Sequence, residues 1–136
     1  MSCASNERHA RMIKLKRAYE PARADDGTRF LVQRLWPRGV KKAALAVDAW
    51  LKEVAPSDDL RRWFAHDPER WEQFRQRYFR QLDRDEKAWA AILAAARRGR
   101  VTLVYSAHDA EHNNAVALKE YLETRGAGKT RKRAVR

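Results

Sequence analysis

"VTLVY", residues 101–105, carries four apolar residues around one threonine and no charge. A strand with one face in water alternates apolar and polar residues, whereas a run without alternation is covered on both faces, as in the interior of a parallel sheet. Directly after it comes "SAHDAEHNN", residues 106–114, and then Ala115, Val116, Leu118, Tyr121 and Leu122 at helical spacing. Strand, polar loop and helix in that order form half of a β-α-β unit. Asp109 or Ser106 is expected to cap the helix, since a short side-chain oxygen can accept from its first free N–H groups.

Upstream, "MIKLKRAY" (12–19) and "TRFLVQRLW" (28–36) read as two more strands, separated by the turn-forming "EPARADDG". In the first, Ile13 and Leu15 alternate with Lys14 and Lys16, which gives one wet face. Residues 40–57 read either as one helix or as a short helix followed by an extended segment. Ser57 then caps a short helix with Leu60, Trp63 and Phe64, and Asp67 with Pro68 marks another start. Trp71, Phe74, Tyr78 and Leu82, then Trp89, Ile92, Leu93 and Ala96, recur at helical spacing on either side of "DRDEK", and Gly99 closes the second helix. Strands interleaved with helices imply an α/β fold, a single small domain with a mainly parallel sheet flanked by helices.

The chain has 136 residues, enough for one domain with one core. Its single cysteine, Cys3, excludes an internal disulfide and fits a cytoplasmic setting. No apolar run approaches a membrane span, so no membrane partner is expected. The formal net charge is +12, but six basic and no acidic residues fall within 125–136, leaving +6 for residues 1–124. The expected organisation is a flexible leader (1–11), the α/β domain (12–124) and a disordered basic tail (125–136). The tail can attract nucleic acid through phosphate contacts.

In open α/β sheets, ligands bind beyond the carboxyl ends of the strands. Two loops occupy that place, "RLWPRG" (34–39) and "YSAHDAEHNN" (105–114). If their strands are neighbours, Arg34 and Arg38 face Tyr105, His108, Asp109, His112 and Asn113 across one crevice. Arginine forks suit a carboxylate or phosphate, and histidine and asparagine can donate to developing negative charge or move protons. The expected ligand residues are Arg34, Trp36, Arg38, Gly39, Asn113 and His66, with His112, Asp109 and Tyr105 as candidates for chemistry. Each has a plainer reading: Trp36 as a packing anchor, Asp109 as a cap, His66 as a structural hydrogen-bonder and Arg34 as an ion-pair partner. His108 and His112 are four apart, but H-E-x-x-H and a third ligand are lacking, so no metal is expected. The glycine-rich phosphate and dinucleotide fingerprints are also lacking, and no cofactor is expected.

Three segments, "RFLVQRLWPRGVKK", "WLKEVAPSDDLRRWFAHDPERWEQFRQRY" and "VTLVYSAHDAEHNNAVALKEYL", together resemble the DUF488 family of uncharacterised proteins, in its YeaO-like branch. The resemblance covers residues 12–123. It implies motif positions at Arg34, Trp36, Pro37, Arg38 and Gly39, at Trp63, His66, Asp67 and Pro68, and at Asp109, His112 and Asn113, without assigning roles. The family pattern has an acidic residue where this chain has Gln33. A related branch carries cysteines around the last strand and helix, and this chain has none there, so thiolate chemistry is not expected. The functional expectation is a crevice for a small phosphate- or carboxylate-bearing ligand, a nucleotide among them, with hydrolase or transferase chemistry as its extension. The alternative is a nucleic-acid-binding accessory protein using the basic tail and the helix arginines.

Overall fold

The computed structural model describes residues 13–135, and side chains as far as residue 125. The expected leader lies outside the described residues, as do the side chains of nearly all the expected tail. Four strands, β1 (Ile13–Arg17), β2 (Thr28–Leu31), β3 (Ala49–Trp50) and β4 (Val101–Tyr105), form a wholly parallel sheet in the order β1-β4-β2-β3. Among the described residues five α-helices accompany them: α1 (Lys42–Leu45), α2 (Asp58–Phe64), α3 (Trp71–Asp83), α4 (Glu86–Arg98) and α5 (Asn114–Val135). All five residues of β4 are buried, because β1 and β2 flank it and both its faces are covered. The expected α/β class and the neighbouring β2 and β4 are both found.

The two faces are covered differently. Ile13, Phe30, Val32, Val101, Leu103 and Tyr105 face the main core, against the aromatic and aliphatic stripes of α2 to α5. Each such side chain contributes roughly 1.5–3 kcal/mol when fully buried. The opposite face packs Ala18, Leu31 and Val104 against Leu45, with Trp36, Val40, Val47 and Trp50 partly buried around them. That thin layer is the segment following β2, and it resolves the ambiguous stretch as a short helix followed by an extended segment.

Local chemistry explains the helix boundaries. Ser57 Oγ accepts from the Leu60 N–H at 3.2 Å, capping α2 as expected. Gln81 of α3 bonds both Ser57 N–H and Ser57 Oγ, so the cap also locks α2 to α3. Asp67 accepts from Glu69 N–H at 3.0 Å and opens a single 3₁₀ turn, Pro68–Arg70, that leads into α3. The break at Arg84 and Asp85 separates α3 from α4, and Trp89 Nε1 donates to the Leu82 carbonyl across it at 2.9 Å.

Two expectations require correction. The second strand stops at Leu31 rather than Trp36, and α5 is capped by neither Asp109 nor Ser106. Asn113 caps it, its Oδ1 accepting from Val116 N–H at 3.0 Å, while Asp109 Oδ1 accepts from Glu111 and His112 N–H at 2.9 and 3.0 Å in the loop before it.

Candidate functional site

The early end of β2 opens the site. Val32 N–H still bonds the Val104 carbonyl at 3.2 Å. The next bond of a parallel ladder would join Ser106 N–H to the Val32 carbonyl. Instead the Val32 carbonyl accepts from Asn114 Nδ2 at 2.6 Å, and Ser106 N–H donates to Gln33 Oε1 at 2.9 Å. Two side chains thus replace one main-chain bond, and the strands part. From here the chain after β2 passes to one face of the sheet and the chain after β4 enters α5 on the other. Divergence of neighbouring strands to opposite faces marks the place where α/β sheets bind ligands.

A pocket lies there, lined by Gln33 and Arg34 after β2, Ala55 and Pro56 before α2, Arg61 and Phe64 within α2, and His66 after it. Phe74 of α3, Ala107 and Asn113 from the loop after β4, and Asn114 of α5 complete it. It holds about 490 Å³ of free space, its open mouth included. Phe64 and Phe74 stack at 4.4 Å between centroids, and they bring the main core to the pocket wall. Arg34, Arg61 and His66 are exposed. Asp58 sits beside the two arginines, with its Oδ1 3.5 Å from Arg34 Nε and 3.1 Å from Arg61 Nη2. The Arg61 hydrogen bond, with Arg34 and Arg62 nearby, holds the Asp58 carboxyl below its ordinary range.

His66 reaches the rim through unusual backbone. Ala65 and His66 are consecutive left-handed residues, at φ 48° and 58°, and Asp67 N–H closes the turn on the Phe64 carbonyl at 2.9 Å. A non-glycine residue there costs roughly 1 kcal/mol or more, which the surrounding packing must offset.

Polar groups in the interior are already engaged. Gln33 Nε2 donates to the Leu35 carbonyl at 2.8 Å and its Oε1 accepts twice from Ser106. Asn113 Nδ2 donates to the Asp109 carbonyl at 2.8 Å. Tyr78, fully buried, donates its hydroxyl to the Val54 carbonyl, and burial pushes its phenol far above the ordinary range. Among the described residues, no buried side-chain nitrogen or oxygen lacks a hydrogen-bond partner.

Of the residues expected from sequence, the structure brings Arg34, His66 and Asn113 together in this pocket. Trp36 lies on the opposite face of the sheet, edge-on to Trp50 and donating Nε1 to the Val40 carbonyl at 2.7 Å, so it is a packing anchor. Gly39 occupies an exposed turn at φ 77°, and exposed Arg38 beside it accepts at its carbonyl from the Tyr19 hydroxyl at 3.3 Å. Tyr105 is buried in the core, and burial is the main cause that raises its phenol above the ordinary value.

His112 Nδ1 and Asp109 Oδ2 pair at 2.9 Å, and the imidazole stands edge-on to Trp71 at 5.3 Å. The Glu111 N–H first, then the His112 side chain, lowers the Asp109 carboxyl below its usual range. This pair does not line the pocket. His108 is exposed, and no group of three metal-ligating side chains occurs among the described residues.

Sequence reasoning missed Arg61, Asn114 and the Phe64 and Phe74 wall as parts of one site. Arg61 had a faint signal, three residues after Asp58 on a capped helix, where an ion pair is favoured.

Comparison with known proteins agrees with the expected resemblance. A family profile described as the inactive DUF488-N3 subclade matches residues 12–134. The uncharacterized protein YeaO of Escherichia coli is 40% identical over 112 residues, covering 82% of this chain and 97% of YeaO. The uncharacterized proteins Mb3100c of Mycobacterium bovis and Rv3073c of Mycobacterium tuberculosis are each 38% identical over 113 residues, covering 83% of this chain and 95% of their own length. No solved structure matches. The chain belongs to the DUF488 family, among its YeaO-like proteins.

Proposed function

We propose that this protein binds a small anionic ligand in the pocket between the ends of β2 and β4, and holds it without transforming it. The observation that carries the reading is the placement of Arg34, Arg61 and His66 around an apolar wall at the point where the two strands part. Two guanidinium forks can recognise a carboxylate or phosphate. Hydrolysis or transfer finds less support. Among the described residues His66 is the one proton-moving side chain in the lining, the Ser106 hydroxyl donates to Gln33 rather than to a base, and His112 and Asp109 stand apart from the lining. The description of the matching subclade as inactive points the same way.

Nucleic-acid binding is the weaker reading. Several helix arginines are paired with carboxylates: Arg61 with Asp58, Arg62 with Asp59, Arg70 with Asp67, and Arg75 with Glu72 and Glu120.

The test is the thermal midpoint of the full chain against small carboxylates, phosphates and nucleotides. A ligand at about 100 times its dissociation constant stabilises by roughly 2.7 kcal/mol, a rise of several degrees. The doubly substituted R34A/R61A protein is expected to lose that rise. A midpoint unmoved by every anion overturns the reading.

A further inference from the structure

The chemistry of the ligand can be narrowed by asking which polar groups of the pocket are free, an argument that rests on the reading above. Gln33 already bonds Ser106 and Leu35, Asn113 bonds Val116 and Asp109, and Asn114 bonds Val32, so each amide has only part of its hydrogen-bonding capacity left. A sugar or nucleobase would bury hydroxyl and amide groups beside amides that already have partners, and each such unpaired group costs binding free energy. An apolar body carries no such cost, and the phenylalanine pair with Ala55, Pro56 and Ala107 offers it a surface of matching character.

The rim supplies the other half. Arg34 and Arg61 converge on a single oxygen of Asp58, each using one nitrogen at 3.5 and 3.1 Å. Two guanidinium groups carry ten N–H donors between them, so most remain for a second acceptor. The geometry of one carboxylate between two forks is itself a template for another. Asp58 and both arginines are exposed, so exchanging one carboxylate for another in that setting involves little desolvation.

We propose that the ligand is a carboxylate borne on an apolar, ring-sized body, and that Asp58 competes with it for Arg34 and Arg61. Substitution of Asp58 by asparagine removes the competing charge while keeping the size of the side chain at the start of α2.

Calorimetric titration of the full chain with phenylacetate, acetate, inorganic phosphate and uridine monophosphate tests both parts. Phenylacetate is expected to bind at least about tenfold more tightly than acetate, from burial of its ring, and more tightly than either phosphate compound. In the D58N protein phenylacetate binding tightens by about fivefold, the scale of an exposed ion pair. Binding of phosphate or uridine monophosphate without binding of phenylacetate overturns the ligand class and leaves the small-anion reading standing. Unchanged or weaker phenylacetate binding in D58N overturns the competition. Binding of none of the four overturns the proposal together with the reading it rests on.

Discussion

Gly27 joins the turn after β1 to the start of β2 at φ 69°, and a Cβ built there would lie 2.2 Å from the Arg100 carbonyl oxygen. Gly39 has a similar φ of 77°, yet nothing lies within 4 Å of the Cβ it lacks. Gly27 carries both a conformational and a steric cost, since its ψ of −137° also takes it out of the left-handed helical region, whereas Gly39 meets no steric clash. Gly39→Ala should cost about 1 kcal/mol, the left-handed penalty alone, and Gly27→Ala distinctly more, because backbone must move as well. Urea denaturation of the two variants measures the difference.

Asp26 is fully buried and charged. Its carboxylate receives Lys14, Lys16 and Arg29 at 3.1, 3.0 and 2.6 Å, and the Arg23 N–H at 3.0 Å. Burial alone would raise its pKa, but the Arg23 N–H and the three cations outweigh it and hold the carboxyl far below the ordinary range. A carboxyl depressed in the folded state contributes stability above its unfolded pKa of about 3.9, and that contribution is lost as pH falls toward the folded value. Asp26→Asn should cost roughly 3–5 kcal/mol at neutral pH, chiefly by leaving the buried Arg29 guanidinium uncompensated, and should flatten the stability profile below about pH 4. An unchanged acid limb in the variant would move the acid sensitivity to other carboxyls. The sequence showed Lys14 and Lys16 as a wet strand face, but not that Asp26 would be drawn into the sheet beside them, since that ion cluster exists only once β1 and β2 flank β4.

At the scale of elements, the solid apolar run of β4, the caps at Ser57 and Asp67 and the stripes of α3 and α4 were legible, because each rests on short-range chemistry. The length of β2 was not. Apolar character continues through Leu35 and Trp36, but the ladder ends when Gln33 and Asn114 take its bonds, an event decided between segments about eighty residues apart. The cap of α5 was misread for a related reason. Ser106, Asp109, Asn113 and Asn114 all qualify by type, and which one caps depends on how far the loop travels before the helix begins. Asn113→Ala removes both the cap and the bond to the Asp109 carbonyl, and should cost about 2 kcal/mol by chemical denaturation. Fraying would be confined to the start of α5 in hydrogen exchange. A loss below about 0.5 kcal/mol would mean that the loop supplies another cap.

For the whole molecule, the fold class and the two loops that bear the site followed from the order of strands and helices, while the composition of the site did not. Arg34, His66 and Asn113 line one pocket, but Arg38 and Trp36 leave with the chain that covers the other face, and α2 brings in Arg61 unannounced. On the proposed function, the parting of β2 and β4 creates an anion-accepting pocket walled by Phe64 and Phe74. Amide and arginine side-chain NMR during titration with phenylacetate tests it most directly. Shifts are expected to concentrate at Gln33, Arg34, Arg61, His66, Asn113 and Asn114, with Arg38 and Gly39 unmoved; shifts centred on Arg38, on His112 and Asp109, or nowhere in the protein would overturn the pocket's role.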